Sequence, residues 1–234
     1  MSTKIRISET FASIQGEGRF TGVPSFFIRT SGCNLRCWWC DTMYTSWHPE
    51  GDWVKAETLA ESVPAGITHV VITGGEPMIF AEQVGNLCAE LRRTGHIVTV
   101  ETNGTIYDAR VAPDLWSVSP KLASATPAEI NKEEKNIHLK NLNPSEIGKF
   151  LLGIRGREDV QYKFVVTKPG DVDDVLMLAE AHELPLGKVW LMPEGKTREE
   201  VLDKATWVAE ECKKYGFNLC MRVHALIWGA RRGV

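Results

Sequence analysis

Hydrophobic positions along this chain change their period repeatedly. Short runs rich in β-branched residues alternate with longer segments whose apolar residues return every three or four positions. The runs at 25–30, 67–73, 97–101, 115–119, 161–166, 188–192 and 217–223 read as strands, after a short opening strand at 4–7. Helical spacing sets Val84, Leu87, Cys88 and Leu91 on one face of a helix over 81–93, which Gly95 stops. Pro64 stops a shorter helix over 55–63, and further helices are expected over 143–154, 171–182 and 197–215. The last of these opens on Thr197-Arg-Glu-Glu200, a capping box, and closes at Gly216. The polar stretch 121–142, with its charged run Lys132-Glu-Glu-Lys135, reads as a mobile connector.

Strand–helix alternation favours a parallel sheet with right-handed crossovers. About six such strands are too few for a closed eight-stranded barrel. The expected fold is α/β: a partial, open (β/α) barrel of about six mainly parallel strands, one domain over residues 1–234. In parallel sheets the working residues gather beyond the carboxyl ends of the strands. The glycines and polar residues fall there: Arg29, the turn Gly74-Gly75-Glu76-Pro77, and the segments 101–103, 119–121 and 192–194.

Composition adds exclusions. Hydrophobic residues at 43% and charged residues at 24% are ordinary for a soluble globular protein. A net charge of −3 argues against a polyanion as main ligand, so no nucleic-acid partner is expected. No apolar run approaches the roughly 20 residues that span a bilayer. The opening residues lack the apolar core of a signal peptide. A cytoplasmic location follows, with no membrane partner and with cysteines kept reduced.

Six cysteines are present, and three of them share one loop, Cys33-Asn-Leu-Arg-Cys37-Trp-Trp-Cys40. Thiolates are the usual ligands of iron–sulfur clusters, each taking one iron. Three ligands on a four-iron cube would leave one iron open to another molecule. A zinc knuckle or a group of reduced structural cysteines is the alternative. Cys88, Cys212 and Cys220 have no ligand spacing and read as small buried hydrophobes. Upstream, Ser13-Ile-Gln-Gly-Glu-Gly18 is a glycine-rich loop whose backbone can approach a ligand, or a plain turn. Arg29 is either a satisfied surface cation or a fork for a carboxylate.

The cysteine loop resembles that of the radical S-adenosylmethionine (SAM) enzymes. Gly74-Gly75-Glu76-Pro77 resembles the turn that holds the SAM amino group in that superfamily. The resemblance implies a 4Fe-4S cluster whose unique iron chelates SAM, and a 5′-deoxyadenosyl radical that takes a hydrogen atom from the substrate. Within the superfamily, Glu9-Thr-Phe-Ala-Ser-Ile-Gln-Gly-Glu-Gly18, Gly22-Val-Pro24, Phe27-Ile-Arg29 and Trp39-Cys40-Asp41-Thr42 together resemble the 7-carboxy-7-deazaguanine synthases. Glu101-Thr-Asn-Gly104, Ser119-Pro120-Lys121 and Arg222-Val-His224 agree with them, and the match is weakest at 121–160. That family converts 6-carboxy-5,6,7,8-tetrahydropterin to 7-carboxy-7-deazaguanine by ring contraction with loss of ammonia, on the route to queuosine.

The resemblance implies a role for each matching residue. Cys33, Cys37 and Cys40 would ligate the cluster, and Thr42 a Mg2+ ion shared with the substrate carboxylate. Ile14, Gln15, Gly16 and Thr73 would line the pterin, with Arg29 on its carboxylate. Trp39, Cys40, Asp41, Gly75, Glu76, Glu101, Ser119, Pro120 and Lys121 would meet SAM, Glu101 through the ribose. For Glu101, Ser119 and Lys121 a solvated or capped strand end is the alternative, and for Thr42 a helix cap. His224 and Trp228 fit core packing and substrate contact equally. A reducing donor such as flavodoxin or ferredoxin and a homodimer are implied as well. Two other readings are an activase that places a glycyl radical on a partner protein, and an electron carrier. The activase lacks the Gln15–Gly18 segment, and a carrier would need a fourth cysteine ligand.

Overall fold

A computed structural model of the chain describes residues 4–128 and 131–234. Its strands are β1 (Lys4–Ile14), β2 (Pro24–Thr30), β3 (Asp52–Lys55), β4 (His69–Gly74), β5 (Ile97–Thr102), β6 (Leu115–Val118), β7 (Val160–Val166), β8 (Val189–Pro193) and β9 (Asn218–Leu219). They form one open sheet in the order β3-β1-β2-β4-β5-β6-β7-β8-β9. From β2 onward every neighbouring pair is parallel, and β1 runs antiparallel to β2 and β3 at one edge. The expected open, mainly parallel α/β arrangement is thus present. The helices are α1 (Met43–Ser46), α2 (Ala56–Glu61), α3 (Ala81–Arg93), α4 (Lys132–Asn141), α5 (Pro144–Gly153), α6 (Gly170–Ala181), α7 (Arg198–Tyr215) and α8 (Val223–Trp228). Among the described residues no helix is long and apolar enough to cross a membrane.

The two-residue period of the strands divides the sheet into two chemical faces. Phe26, Ile28, Val70, Ile72, Val98 and Val100 lie in one buried apolar cluster with Val84, Leu87 and Leu91 of α3. Trp116, Phe164 and Leu191 carry the same cluster along to α6 and α7, through Val175 and Val208. The intervening positions face the other way, and several are polar: Ser25, Arg29, His69, Thr73, Thr99, Glu101, Ser117, Gln161 and Lys163. Buried polar groups must find partners, and here they find one another across strands. His69 Nδ1 pairs with Ser25 Oγ at 2.7 Å and its Nε2 with Thr99 Oγ1 at 2.8 Å. Gln161 Nε2 donates to Ser117 Oγ at 2.9 Å.

Four sequence expectations require correction. β1 runs on to Ile14 instead of ending at residue 7. A bulge between Ile7 and Glu9 shifts its register against β2, so Ile5 and Ile7 join the apolar cluster while Phe11 stacks on Phe27 of the other face, centroids 5.0 Å apart. That change of face breaks the two-residue alternation by which a strand is recognised. β3 was not expected, since Asp52-Trp-Val-Lys55 is a mostly exposed edge. The connector holds a helix, α4, whose only buried residue among those described is His138. Its amphipathic stripe is too thin to read, although Glu133 and Glu134 in its first turn suit the helix dipole. The last strand pairs through Asn218 and Leu219 alone, and Val223 already begins α8. The capping box at Thr197 and Glu200 and the left-handed Gly216 are both formed.

His69 gives the fold a pH signature. Burial pushes its imidazole down to about 4, against the pull of Glu101. A histidine depressed in the folded state contributes stability that is complete above its unfolded value, near 6.5, and is lost as pH falls toward the folded value. Between pH of about 7.5 and about 5.5 this amounts to about 1 kcal/mol. Chemical unfolding of the apoprotein at both pH values checks it. The stability of wild type relative to His69→Gln should shrink by about that amount at the lower pH, whereas an unchanged difference would mean that His69 titrates normally.

Candidate functional site

A cavity of about 220 Å³ opens on the polar face of the sheet. Arg29, Thr73, Glu101, Lys163 and Val165 reach it from inside the strands, not only from their carboxyl ends. Loops complete the wall, and the three spaced cysteines lie on one of them. Cys33, Cys37 and Cys40 all line the cavity, whereas Cys88, Cys212 and Cys220 do not. All six thiols are free.

The cysteine loop is pinned on several sides. Arg36 donates to the carbonyls of Cys33 at 2.7 Å and Leu35 at 2.9 Å, and its own N–H is accepted by His138 Nδ1 at 3.1 Å. Asn34 donates to Thr105 Oγ1 at 2.8 Å and accepts from Asn103 Nδ2 at 2.9 Å. Trp47 Nε1 reaches the Cys37 carbonyl at 3.2 Å. Burial pushes the Cys37 thiol up to about 12 and the Cys33 thiol higher still. Such thiols stay protonated until a metal centre supplies positive charge. Among the described residues no three His, Cys, Asp or Glu side chains converge on a single ion. Three thiols on one loop suit an iron–sulfur cluster, in which each thiolate would take its own iron. Thr42 precedes α1, but its hydroxyl makes no cap hydrogen bond. It faces the cavity, 3.7 Å from Cys40 Sγ.

Close backbone approach explains the glycines. A Cβ on Gly75 would lie 2.1 Å from the carbonyl oxygen of Gly32, and Gly74 has φ +136. Both glycines line the cavity, but Glu76 and Pro120 do not. Glu76 is fully buried and accepts from Met78 N at 2.9 Å, Thr102 Oγ1 at 2.7 Å and Asn103 N at 2.6 Å. It therefore fastens the exit of β4 to that of β5. A Cβ on Gly16 would strike the His224 ring at 2.1 Å, and the Gly16 carbonyl accepts from Val223 N at 2.9 Å. This glycine makes room for the start of α8.

Ile14, Gln15 and Gly16 line the side nearest β1. Gln15 donates to Glu101 Oε1 at 3.2 Å and accepts from Glu17 N at 3.0 Å, while Thr73 donates to Glu101 Oε2 at 2.8 Å. Trp39, Asp41, Ser119 and Lys121 line the cavity as well. Lys121 donates to the Ser119 carbonyl at 2.7 Å and hydroxyl at 2.8 Å, and lies 5.7 Å from the Trp39 ring centroid. Burial lowers its ammonium pKa.

A chain of charges lines the same cavity, and of its members only Asp41 has a role expected from the sequence. Lys163 pairs with Glu17, Glu17 with Arg222 at 3.2 Å, and Arg222 with Asp41. Burial alone would raise the Glu17 carboxyl, but Lys163 and Arg222 hold it well below the usual carboxylate range. Burial opposes the charge on both cations too, and their carboxylate partners outweigh it and raise both pKa values. Each group stays ionised. His224 also lines the cavity, its pKa lowered by burial. Lys163 carried a readable signal, since it repeats the phase of Gln161 within an otherwise apolar strand.

The chain matches the radical SAM superfamily over residues 27–151. It is 41% identical over 233 residues to the 7-carboxy-7-deazaguanine synthase of Rhodopirellula baltica, covering 99% of this chain and 89% of the relative. The Halobacterium salinarum synthase is 42% identical over 233 residues, covering 95% and 90%. The crystal structure of QueE from Escherichia coli superposes with a TM-score of 0.64 at 26% identity, covering 94% of this chain and 95% of that one.

The cavity-lining thiols and the distant ones should separate in a simple assay. Alanine at Cys33, Cys37 or Cys40 is expected to abolish iron retention after anaerobic reconstitution. Alanine at Cys88 should leave iron bound and cost about 1–2 kcal/mol of stability. Iron and sulfide analysis checks both, and a Cys37→Ala protein with full iron would break the assignment.

Proposed function

We infer the reaction from one premise: the chain belongs to the 7-carboxy-7-deazaguanine synthase family of the radical SAM superfamily. Its substrate is 6-carboxy-5,6,7,8-tetrahydropterin, and the product is 7-carboxy-7-deazaguanine, formed by ring contraction with loss of ammonia. The observation that supports this most is the meeting of three free thiols, a glycine-lined strand exit and the Gln15–Thr73–Arg29 wall around one cavity.

In this reading Cys33, Cys37 and Cys40 hold a 4Fe-4S cluster. SAM lies against Gly75, Trp39 and Asp41, with Ser119 and Lys121 beside it. Glu76 and Pro120 act from behind that wall by shaping it. When bound, cluster and SAM together supply the abstraction of one hydrogen atom from the substrate. The chain's own task is to fix which hydrogen is presented and to keep water away. Arg29 takes the substrate carboxylate, and Ile14, Gln15, Gly16 and Thr73 take the ring. Gln15 retains one amide N–H beyond its bonds to Glu101 and Glu17. Glu101, already an acceptor for Gln15 and Thr73, sits where the SAM ribose and the pterin would meet. The Lys163–Glu17–Arg222–Asp41 chain keeps fixed charges beside the ring, with no reorganisation needed as charge shifts during the contraction. Thr42 offers one oxygen to a Mg2+ ion shared with the substrate carboxylate. A cytoplasmic homodimer reduced by a flavodoxin- or ferredoxin-type donor completes the proposal.

The direct test incubates reconstituted enzyme with dithionite, SAM, Mg2+ and the carboxylated tetrahydropterin, and seeks 7-carboxy-7-deazaguanine by mass. Formation of 5′-deoxyadenosine without that product would refute the substrate, and a glycyl radical on an added protein would favour an activase. Thr42→Val keeps the side-chain shape and removes its oxygen. We expect turnover to fall by roughly tenfold or more, with its Mg2+ response. Full Mg2+-stimulated activity in that variant would remove Thr42 from the metal site.

A further inference from the structure

Glu9 lies on β1 just beyond the bulge, directly opposite Arg29 in the β1–β2 register. Its carboxylate gathers three donors from three parts of the chain. Oε1 accepts from Arg29 Nε at 2.8 Å and from the Tyr44 hydroxyl at 2.8 Å, and Oε2 accepts from Arg232 Nε at 2.9 Å. The Glu9 and Arg29 side chains are only 15% and 17% exposed. Burial raises the Glu9 carboxyl pKa, but the bonds from Arg232, Tyr44 and Arg29 lower it further, so it stays ionised.

The choice of nitrogen matters. A guanidinium can offer a carboxylate either its Nε edge or the edge formed by its two terminal nitrogens. Glu9 occupies Nε, and the terminal nitrogens of Arg29 have no protein partner among the described residues. Phe11 supports the guanidinium, 5.5 Å from ring centroid to Cζ. One edge is therefore tied back to β1 while the other remains free on a residue that lines the cavity. Nor does Glu9 cancel the Arg29 charge alone, because it also serves Arg232, which pairs in turn with Glu50. Tyr44 brings the same carboxylate to α1, two residues beyond Thr42.

We propose that Glu9 is a positioning residue that fixes the roll of Arg29, so that its terminal N–H pair meets the substrate carboxylate and the enzyme distinguishes carboxylated from uncarboxylated pterins. This rests on the proposed role of Arg29 as the partner of that carboxylate. The test uses the reconstituted holoenzyme with SAM and Mg2+ but no reductant, so that binding is measured without turnover. Dissociation constants are taken for 6-carboxytetrahydropterin and for tetrahydropterin itself, in wild type, Glu9→Gln, Arg29→Ala and the double variant. Glu9→Gln should weaken the carboxylated ligand by about tenfold or more and leave the uncarboxylated one within about twofold. In the Arg29→Ala background the same substitution should change neither, since Glu9 acts through Arg29. Turnover should show a raised KM with a smaller change in kcat.

Equal weakening of both ligands, or an undiminished effect in the Arg29→Ala background, would overturn the proposal. Iron content and thermal unfolding guard against a collapsed fold. If Glu9→Gln fails to load iron, Glu9→Asp replaces it, keeping the charge but withdrawing it by one methylene, with the same selective loss expected. A wild-type enzyme that binds neither pterin would instead refute the substrate assignment, and the proposal with it.

Discussion

Four charges paired in a chain along the cavity, with Lys163, Glu17 and Arg222 largely buried, constrain everything around them. Lys163, Glu17, Arg222 and Asp41 come from β7, the loop after β1, the segment before α8 and the cysteine loop. A lone ion among Lys163, Glu17 and Arg222 would cost several kcal/mol to desolvate, and each of these three is tolerable only because its partners are in place. Such a chain is weak evidence for stability, since packed hydrophobes of similar volume would often serve as well. Its consequence is geometric. The loop that carries the thiols, the loop that carries Gln15 and the late segment that carries His224 must all arrive in one arrangement for the charges to be paired.

Close backbone packing does for the cysteine side what ion pairs do for the side nearest β1. Gly75 lies so near Gly32 that no side chain fits, and Glu76 accepts three hydrogen bonds that join the exits of β4 and β5. Burial raises the Glu76 carboxyl, and the donors from Asn103, Thr102 and Met78 work against that rise. A glutamate so engaged builds the wall of the cavity and does not face into it. The distinction separates a motif residue that touches a ligand from one that shapes the surface a ligand touches.

Much of this was legible in the sequence because strand and helix periods carry through long stretches. The parallel strands, α3 and the capped α7 follow from apolar spacing, and the C-x3-C-x2-C run marked the thiol loop before any contact was known. Part of what was lost comes from a change of face. The bulge after Ile7 moves β1 from the apolar cluster to the cavity, so Glu9 and Phe11 had no readable phase. Lys163 is a charged position within a largely apolar strand, and Gln161 two residues earlier shares its direction. Arg222 and His224 stood in or beside an expected strand, and only tertiary structure turns them inward. α4 escaped because a helix held by one buried histidine leaves no stripe.

The two ends of the chain meet at the same wall. β1 lies beside the edge strand β3, antiparallel to both neighbours where the rest is parallel, and it supplies Ile14 and Glu9, with Gln15 and Gly16 directly beyond it. The late segment closes over it: Val223 N bonds the Gly16 carbonyl at 2.9 Å, Arg222 reaches Glu17 at 3.2 Å, and Arg232 reaches Glu9 while lying 3.8 Å from the Tyr44 ring centroid. Residues 33–121 therefore furnish the thiols, the glycine-lined exits and Thr73, and the outer segments furnish Ile14, Gln15 and Gly16, with Arg29 on β2 between them. A parallel strand series can present a cluster and a SAM molecule at its edge without these additions. β1 and the loop after it, with the late segment, add a second wall braced by ion pairs. That wall stands where the chain departs from the regular strand–helix alternation that organises the rest.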